Sequence, residues 1–420
     1  IAFFSQAKNL IAQGTAGNIF LRDTCAGQPA NCVPSTVPVD LAANGTVPNG
    51  AAAGRVSVSA DGRYVAFASN ATNLTSDAMS RGVDRIFVRD ACEGASAPAP
   101  CPPHSEIASV APNGEVVTGD KPSISPDGRF IAFAVRGGSL MMSRITGSLP
   151  SMLMIRDTCH VAAATCVPQT VIASVDGQSQ INVDPNAASA ISSAGRYVAF
   201  VSEASGTTPS QIYVRDTCLG GDSGCIPSTK LVSASRDGRI GNGTSGSLAL
   251  SGDGRFVAFE SAASNLADGS TGGEQIYLRD TCTGPSAPFG CAPSTTRVSG
   301  NAVASGDASG NYSPSISLSG RYISYIVRQQ NGNSEPTGGA TGDIVVYDTC
   351  FGAVGPCSPH AAELIATDPS GNQLPLTSDI RVPVPVTDAG FAAFFTQQTV
   401  PAVHASGLGD VFLTTTPFRQ

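Results

Sequence analysis

Short apolar runs separated by Gly, Pro, Asn and Ser fill this chain, and no window keeps a 3.6-residue apolar period. Runs of this length bounded by turn residues predict β-strands rather than helices. One stretch shows the plan of four strands, A to D, predicted at residues 248–250, 256–259, 275–279 and 296–299. The Asp253-Gly254 pair between A and B predicts a hairpin, because glycine adopts positive φ without strain.

The same plan recurs along the chain with a period of about 65 residues. Its turn glycine recurs at Gly62, Gly128, Gly195, Gly254, Gly320 and Gly390. Tandem units of four antiparallel strands are typical of β-propellers. We therefore expect an all-β fold, a seven-bladed β-propeller of four-stranded antiparallel blades that forms a single domain over residues 1–420. The expected blade units are residues 1–41, 54–110, 121–175, 187–234, 247–300, 312–367 and 378–417.

The first and last blades are expected to be incomplete. The first unit starts at a B-type run and lacks strand A, whereas the last has strands A to C and no strand D. A segment upstream of Ile1, or a strand from a neighbouring subunit, is expected to fill this gap, because open strand edges pair with other chains. The residues of this predicted assembly seam are Ile1, Ala2, Phe3, Phe4, Val411, Phe412 and Leu413.

All twelve cysteines fall into six pairs that bracket the loop between strands C and D. The predicted disulfides are Cys25-Cys32, Cys92-Cys101, Cys159-Cys166, Cys218-Cys225, Cys282-Cys291 and Cys350-Cys357. Metal binding would need closer spacing and more ligands, and His104, His160 and His360 lie near only three of the pairs. Six disulfides predict an oxidising compartment, and each closed loop stabilises the fold by about 2.5 kcal/mol in the chain-entropy model. A redox switch is the alternative, but six equivalent pairs favour a framework.

Charge and hydropathy exclude two classes of partner. Charged residues are 13% of the chain, the net charge is -8, and no basic run occurs, so nucleic acid is not expected as a partner. No apolar stretch approaches the roughly 20 residues of a membrane span. We expect a secreted protein, extracellular or on the cell surface, with the periplasm as the alternative.

Residues 123–134, SISPDGRFIAFA, followed by an IYVRD-type strand, resemble the repeat of TolB-like, WD-related β-propellers. The resemblance covers nearly the whole chain and implies a secreted bacterial propeller, here with a disulfide in each C–D hairpin. The cysteine pair departs from the commonest form of that repeat. The resemblance implies no single function, since such blades serve as binding modules, as gating domains of peptidases and as scaffolds.

Two polar patterns are candidate sites. An Arg-Asp dipeptide ends strand C at Arg22-Asp23, Arg89-Asp90, Arg156-Asp157, Arg215-Asp216 and Arg279-Asp280. It predicts either a ring of charge for a ligand or metal, or else an ion pair within the blade or an Asx-type turn that prepares the disulfide loop, and its repetition favours the second interpretation. The B–C loops hold Asp77, Asp84, Asp268 and Glu274, which are oxygen ligands suited to calcium. The calcium-loop spacing D-x-[DN]-x-[DN]-G never appears, so solvated loops and no cofactor are expected, with calcium in the B–C loops as the weaker alternative.

The irregular loops carry the functional hypotheses. Residues 41–54, 135–151 (with Met141 and Met142) and 329–341 vary between units, and loops on a rigid scaffold often bind ligands. One hypothesis is a propeller that binds a glycan or protein there. The other is a structural subunit that polymerises through its terminal blades. A glycosidase or lyase is the third class, but the four histidines, including His404, form no catalytic motif, so no enzyme is expected. Five sequons predict glycosylation weakly: Asn44, Asn70, Asn73, Asn242 and Asn311.

Overall fold

We analysed the protein in a computed structural model. It describes residues 1–7, 10, 18–25, 31–76, 82–94, 96–136, 150–162, 164–177, 179–221, 224–270, 273–299, 308–329, 341–367, 373–375, 377–379, 382–396 and 410–418. Every named element within these ranges is a β-strand, as the apolar pattern predicts.

Five four-stranded antiparallel meanders form the body of the fold, each with strands A to D in sheet order. Their strands are β4 (Ala52–Val58), β5 (Tyr64–Ser69), β6 (Arg85–Asp90) and β7 (His104–Ile107); β8 (Asp120–Ile124), β9 (Phe130–Val135), β10 (Met152–Asp157) and β11 (Gln169–Ile172); β14 (Ala190–Ile191), β15 (Tyr197–Val201), β16 (Ile212–Asp216) and β17 (Ser228–Leu231); β18 (Ser245–Leu250), β19 (Phe256–Ser261), β20 (Gln275–Asp280) and β21 (Ser294–Arg297); and β22 (Ala308–Ile316), β23 (Tyr322–Gln329), β24 (Thr341–Asp348) and β25 (His360–Glu363).

Smaller sheets complete the described fold. The first sheet has three strands, β1 (Ala2–Ser5), β2 (Asn18–Asp23) and β3 (Ser35–Pro38), and the last has two, β29 (Phe391–Thr396) and β30 (Asp410–Thr415). Two short hairpins are β12 (Val175–Asp176) with β13 (Ser179–Gln180), and β26 (Ile365–Thr367) with β27 (Gln373–Pro375). Strand β28 (Thr377–Asp379) pairs with β24.

The chain divides into two compact units, residues 1–200 with 215–229, and residues 201–214 with 230–420. In the first unit, strands β5 and β9 are buried along their whole length. In the second, β19 is buried at five of its six positions. Strands B and C are nearly continuous apolar runs because both of their faces are covered, whereas D strands such as β21 alternate between exposed and half-buried positions.

Two details differ from the sequence-based expectation. Strand D of the fourth meander begins at Ser294, two residues before the predicted start. The predicted strand A of the last blade is reduced to one bridge, Val386 with Ala392, because Pro383 and Pro385 have no N–H group to donate to a ladder. The last sheet therefore has two strands instead of three.

The cysteines lie just outside strands C and D, at the ends of the loop that they were expected to bracket. Cys92 follows β6 by two residues, and Cys101 precedes β7 by three. The first cysteine of every pair has positive φ, between 52° and 63°. Each disulfide therefore closes the loop beyond the last residue pair of the ladder.

Candidate functional site

The turn between strands A and B fixes the position of one arginine in each meander. In the second sheet, Asp61 Oδ1 accepts hydrogen bonds from Ser59 Oγ (2.7 Å) and from the backbone N–H of Arg63 (3.0 Å). Gly62, with φ of 80°, allows this tight turn. The hydroxyl of Ser59 also accepts the N–H of Tyr64 at 2.9 Å. The Ser and Asp side chains of the Ser-x-Asp-Gly-Arg sequence thus fix the turn by hydrogen bonds to its backbone, and the turn places Arg63 at the end of the sheet.

This turn arginine binds the aspartate that ends strand C, and we call the two residues with the adjacent disulfide the Arg–Asp–cystine cluster. Arg63 donates through Nε and Nη2 to both oxygens of Asp90, at 2.7–3.1 Å. Asp90 Oδ1 in turn accepts the N–H of Cys92 at 2.9 Å. The cluster recurs with ion pairs Arg129–Asp157, Arg196–Asp216 and Arg255–Asp280 at 2.7 Å, and Arg321–Asp348 at 3.0 Å.

The cluster also connects successive repeats. The Arg63 guanidinium lies 4.7 Å from the ring centroid of Tyr64, a favourable cation–π distance. The turn glycine of the following repeat, Gly128, packs against the other part of that ring, and a Cβ there would overlap it. Gly195 on Phe130 repeats the contact. These glycines are therefore required by packing as well as by the turn, a role that the sequence pattern did not reveal.

The sequence predicted an ion pair or an Asx turn at the Arg-Asp dipeptide, and the structure contains both. The ion pair, however, uses the turn arginine and not the neighbouring one. The neighbouring arginine of strand C contacts strand D instead: Arg279 Nη1 donates to Thr295 Oγ1 at 2.8 Å. It also donates to the backbone oxygen of Ala234, in the preceding repeat, at 3.2 Å. Both arginines therefore have structural roles.

The structure joins the cysteines as Cys25-Cys32, Cys92-Cys101, Cys159-Cys166, Cys218-Cys225, Cys282-Cys291 and Cys350-Cys357, with Cα–Cα distances of 5.5–5.7 Å. No cysteine is free. An aspartate lies close to each of several cystines. Oxidised sulfur is not the thiolate that metals bind, so these groups form a framework.

The cystine loops expose apolar side chains, which sequence reasoning missed. The most exposed large apolar residues of the described chain are Val33 (80%), Val167 (76%), Ile226 (83%), Phe289 (109%) and Val354 (104%). Three of them directly follow the second cysteine of a pair, and Phe289 and Val354 lie inside the loops. The signal was present in the sequence, as an apolar residue among the Pro, Ser and Gly of the loop.

At the opposite end of the sheets, asparagines hold the D–A and B–C loops together. Asn49 Nδ2 donates to Thr72 Oγ1 at 2.9 Å, and Asn73 Oδ1 accepts the N–H of Asn49 at 3.0 Å. Asn242, Ser264 and Asn265 repeat the arrangement in the fifth sheet. Of the predicted loop 41–54, residues 41–51 therefore form a loop that is hydrogen-bonded to the B–C loop, whereas residues 52–54 belong to strand β4.

The sequons differ in what their amides do. The Nδ2 groups of Asn73 and Asn242 donate hydrogen bonds to neighbouring loops, and Asn311 is 5% exposed. Asn70 Oδ1 accepts the N–H of Ala51 at 3.0 Å. Asn44 is exposed and lies in a turn with Thr46. Asn44 is thus the sequon best placed for an attached glycan.

A pair of carboxyl groups lies where β19, β20 and β22 meet in the second unit. Glu260 of β19 and Glu274, just before β20, are hydrogen-bonded to each other. Burial and the nearby Glu274 raise the pKa of Glu260 to about 7, and burial raises the pKa of Glu274. Ser313, whose φ is 51° at a bulge of β22, donates its N–H to Glu260 Oε2 at 3.2 Å. Glu274, one of the four possible calcium ligands in the sequence, therefore interacts with a second carboxyl group, that of Glu260.

The seam residues lie on two edge strands. Ala2, Phe3 and Phe4 belong to β1, and Phe3 stacks on Phe20 with ring centroids 5.7 Å apart. Ile1 exchanges backbone hydrogen bonds with Arg22 at 2.8 Å. Val411, Phe412 and Leu413 belong to β30, where Phe412 stacks on Phe394 at 5.5 Å.

The histidines have separate environments. His160 stacks on Tyr64 at 4.5 Å, and its Nε2 lies 3.0 Å from Glu106 Oε1. His104 and His360 each contact a backbone oxygen of their own loop. Asp77, Met141, Met142 and His404 lie outside the described residues, whereas Asp84 and Asp268 are described in their predicted loops. Among the described residues, no helix has the length and apolarity required to cross a membrane.

No protein-family model matches the chain, and no curated protein matches it. Its structural neighbours include TolB from Acinetobacter baumannii, at 16% identity over 83% of this chain and 60% of that chain, with a TM-score of 0.39. A putative TolB from Agrobacterium tumefaciens is 13% identical over 86% of this chain and 90% of that chain (TM-score 0.39). Prolyl oligopeptidase B from Galerina marginata is 11% identical over 94% of this chain and 55% of that chain (TM-score 0.43).

These observations define the class as an all-β repeat protein of four-stranded antiparallel sheets with a cystine in each C–D loop. Six disulfides indicate a non-cytosolic location, because reducing compartments keep thiols free.

Proposed function

We propose that this chain is a non-enzymatic interaction scaffold, a secreted seven-bladed β-propeller that binds other macromolecules, second copies of itself among them, through its cystine loops. The observation that carries the proposal is the exposure of Val33, Val167, Ile226, Phe289 and Val354. Exposed apolar side chains that recur in the same loop of successive repeats are typical of contact surfaces.

The cystine loops are well suited to binding because they are held rigid. A disulfide closes each loop, and an Asp accepts the N–H of its first cysteine, as Asp216 does for Cys218 at 2.9 Å. A loop that is already ordered loses little conformational entropy when it binds. A side chain such as Ile226 can then be buried against a partner at low entropic cost.

Sedimentation velocity of the oxidised chain tests the proposal. Two apolar residues of the cystine loops are replaced together, Val33→Thr with Ile226→Thr. The matched control replaces Val116 (48% exposed) and Ile240 (45% exposed), also by Thr, in the D–A hairpins at the other end of their sheets. We expect the cystine-loop variant to self-associate about tenfold more weakly than the wild type, from the apolar area no longer buried.

Two results would contradict the proposal. The first is a wild-type chain that stays monomeric at about 100 µM. The second is an equal loss of association in the control, which would remove the cystine loops from the contact.

Polymerisation by strand complementation is a second candidate, favoured by the strand edges. Among the described residues, β1 pairs only with β2 and β30 only with β29. The N–H of Thr416 donates to Gly390 O, so by alternation the N–H of Leu413 points away from β29. Leu413→Pro therefore blocks an added strand while it spares the existing ladder. Filaments seen by electron microscopy should disappear in this variant, and filaments that persist would exclude pairing at β30.

A further inference from the structure

The cystines differ in what contacts the sulfur of their second cysteine. In the fourth sheet, Arg196 Nη2 donates to Cys225 Sγ at 3.3 Å, and in the third sheet Arg129 Nη2 lies 3.7 Å from Cys166 Sγ. In three other pairs, the contact is a carboxylate oxygen 3.9 Å from the sulfur of Cys32, Cys101 or Cys291. Pairs that are equivalent in the sequence are therefore chemically different in the structure.

The turn arginine has another partner in the longer loops. In the second and fifth sheets the paired cysteines are nine positions apart, and the arginine donates through Nη1 to a loop carbonyl at 2.8 Å: Arg63 to Ser96 O and Arg255 to Ser286 O. Cys218 and Cys225 are seven positions apart, and there the arginine contacts the sulfur.

A short loop alone does not produce this contact. Cys350 and Cys357 are also seven positions apart. Arg321 donates to both oxygens of Asp348 there, and among the described residues it makes no bond to Cys357 Sγ. This cystine is therefore a matched comparison within the same chain.

Arg196 is placed to stabilise negative charge on Cys225 Sγ. It donates to the two oxygens of Asp216 at 2.8 Å and 2.7 Å. Asp216 Oδ1 accepts the N–H of Cys218 at 2.9 Å and lies 3.9 Å from Cys225 Sγ, so the guanidinium is the nearer of the two charged groups. A cation beside a cysteine favours the thiolate over the thiol.

The disulfide is also within reach of a small molecule. Cys218 and Cys225 are both half-buried. Three of the six residues between them are glycine, Gly220, Gly221 and Gly224, so the loop has few side chains that could cover the sulfurs.

We propose that the Cys218–Cys225 cystine is a thiol-exchange site for a small monothiol of the glutathione class. The incoming thiol gives its proton to solvent, and its thiolate attacks Cys218 Sγ. A new S–S bond forms to Cys218 while the bond between Cys218 and Cys225 breaks, and the electron pair of that bond stays on Cys225 Sγ beside Arg196. One disulfide replaces another, so no further oxidant or reductant is needed.

The direction of attack follows from the stability of the leaving thiolate, because a more stable thiolate leaves faster. Arg196 stabilises Cys225, so Cys218 is the sulfur that becomes bound to the small thiol. Exchange opens the loop beside Ile226, an exposed apolar residue of the cystine loops.

Incubation of the oxidised full chain with about 10 mM reduced glutathione tests this site. Samples are stopped with acid, freed thiols are alkylated with a maleimide, and the modified peptides are identified by mass spectrometry. We expect glutathione on Cys218 and maleimide on Cys225. The Cys218–Cys225 bridge should be lost about tenfold faster than Cys350–Cys357. Because Cys357 is exposed, accessibility alone would give the opposite order.

Arg196→Gln removes the cation beside Cys225. It should slow the exchange about tenfold and distribute glutathione over both cysteines. A purely structural role of Arg196 would have the opposite effect, because a loosened loop exchanges faster. The control is Arg321→Gln, which removes the corresponding ion pair with Asp348 and should not slow exchange at Cys350–Cys357.

The position of glutathione in the wild type remains decisive if Arg196→Gln folds poorly. The proposal is overturned if glutathione is found mainly on Cys225, if Cys350–Cys357 opens as fast as Cys218–Cys225, or if neither bridge exchanges. A folded Arg196→Gln protein that exchanges at the wild-type rate would also overturn it.

Discussion

Replacement of Asp40 is the most direct test of a hydrogen bond that recurs between strand C and the residues after strand D. In four sheets, a serine two residues after strand D accepts, through its Oγ, a backbone N–H at the start of strand C: Ile86 to Ser109, Leu153 to Ser174, Ile212 to Ser233 and Ile276 to Ser299, at 3.0–3.1 Å. Asp40 takes this place in the first sheet and accepts the N–H of Ile19. It is 1% exposed, and its Oδ2 has no hydrogen-bond partner among the described residues.

The stability that the folded state loses at this position depends on whether the Asp40 carboxyl is protonated. Burial raises its pKa from 3.8 to about 6, against the two backbone hydrogen bonds that lower it. The unfolded carboxyl therefore ionises first, and the folded state loses stability as the pH rises from about 4 through about 6. A shift of about two units corresponds to about 3 kcal/mol above this window. Asp40→Ser should recover this, less about 1 kcal/mol for the smaller side chain.

We therefore expect Asp40→Ser to stabilise the first sheet by about 2 kcal/mol near pH 8, and to be neutral or slightly destabilising near pH 4. Hydrogen exchange over residues 18–23, compared between variant and wild type at each pH, reports this opening locally. The reverse change, Ser109→Asp, should introduce the same pH-dependent loss in the second sheet. An effect of Asp40→Ser that is the same at both pH values would refute the reasoning.

Three further predictions concern the other clusters. Arg255→Lys should lower the free energy of unfolding by about 2 kcal/mol, because lysine loses the paired bonds to Asp280 and the contact with the Phe256 ring. The control is Arg239→Lys, at an exposed ion pair with Asp237, which should change the melting temperature little. Replacing Cys92 and Cys101 together by Ser should cost about 2.5 kcal/mol in thermal unfolding, and a cost near zero would show that the cluster alone holds the loop. The wild type should lose about 3 kcal/mol of stability as the pH rises from about 5 through about 7, because the pKa of Glu260 is raised in the folded state, and Glu260→Gln should remove this loss. Melting temperatures of the two proteins that change in parallel across this pH range would contradict the prediction.

Local sequence patterns predicted the strands well, because both faces of strands B and C are covered and each forms an apolar run. The Asp-Gly turn at Asp253 and Gly254 and the four strands around it were found within a few residues. The prediction of strand A in the last blade failed because the local sequence there is incompatible with a hydrogen-bonded strand. Pro383 and Pro385 remove the donors that strand A of the last blade needs.

The sites were less predictable, since they depend on residues distant in sequence. Arg63 and Asp90 are each part of a visible motif, but they are 27 residues apart, and nothing local shows that one binds the other. Glu260 and Glu274 meet because adjacent strands carry them to one end of a sheet.

The sequence by itself determined the period, the strands, the turns and the cysteine spacing, because each of these depends on residues close together in the chain. The tertiary structure alone decided which charges pair, which serine position holds a buried aspartate and which apolar side chains are exposed. Those properties depend on packing between strands and between repeats, which set the burial and the hydrogen-bond partners of each group.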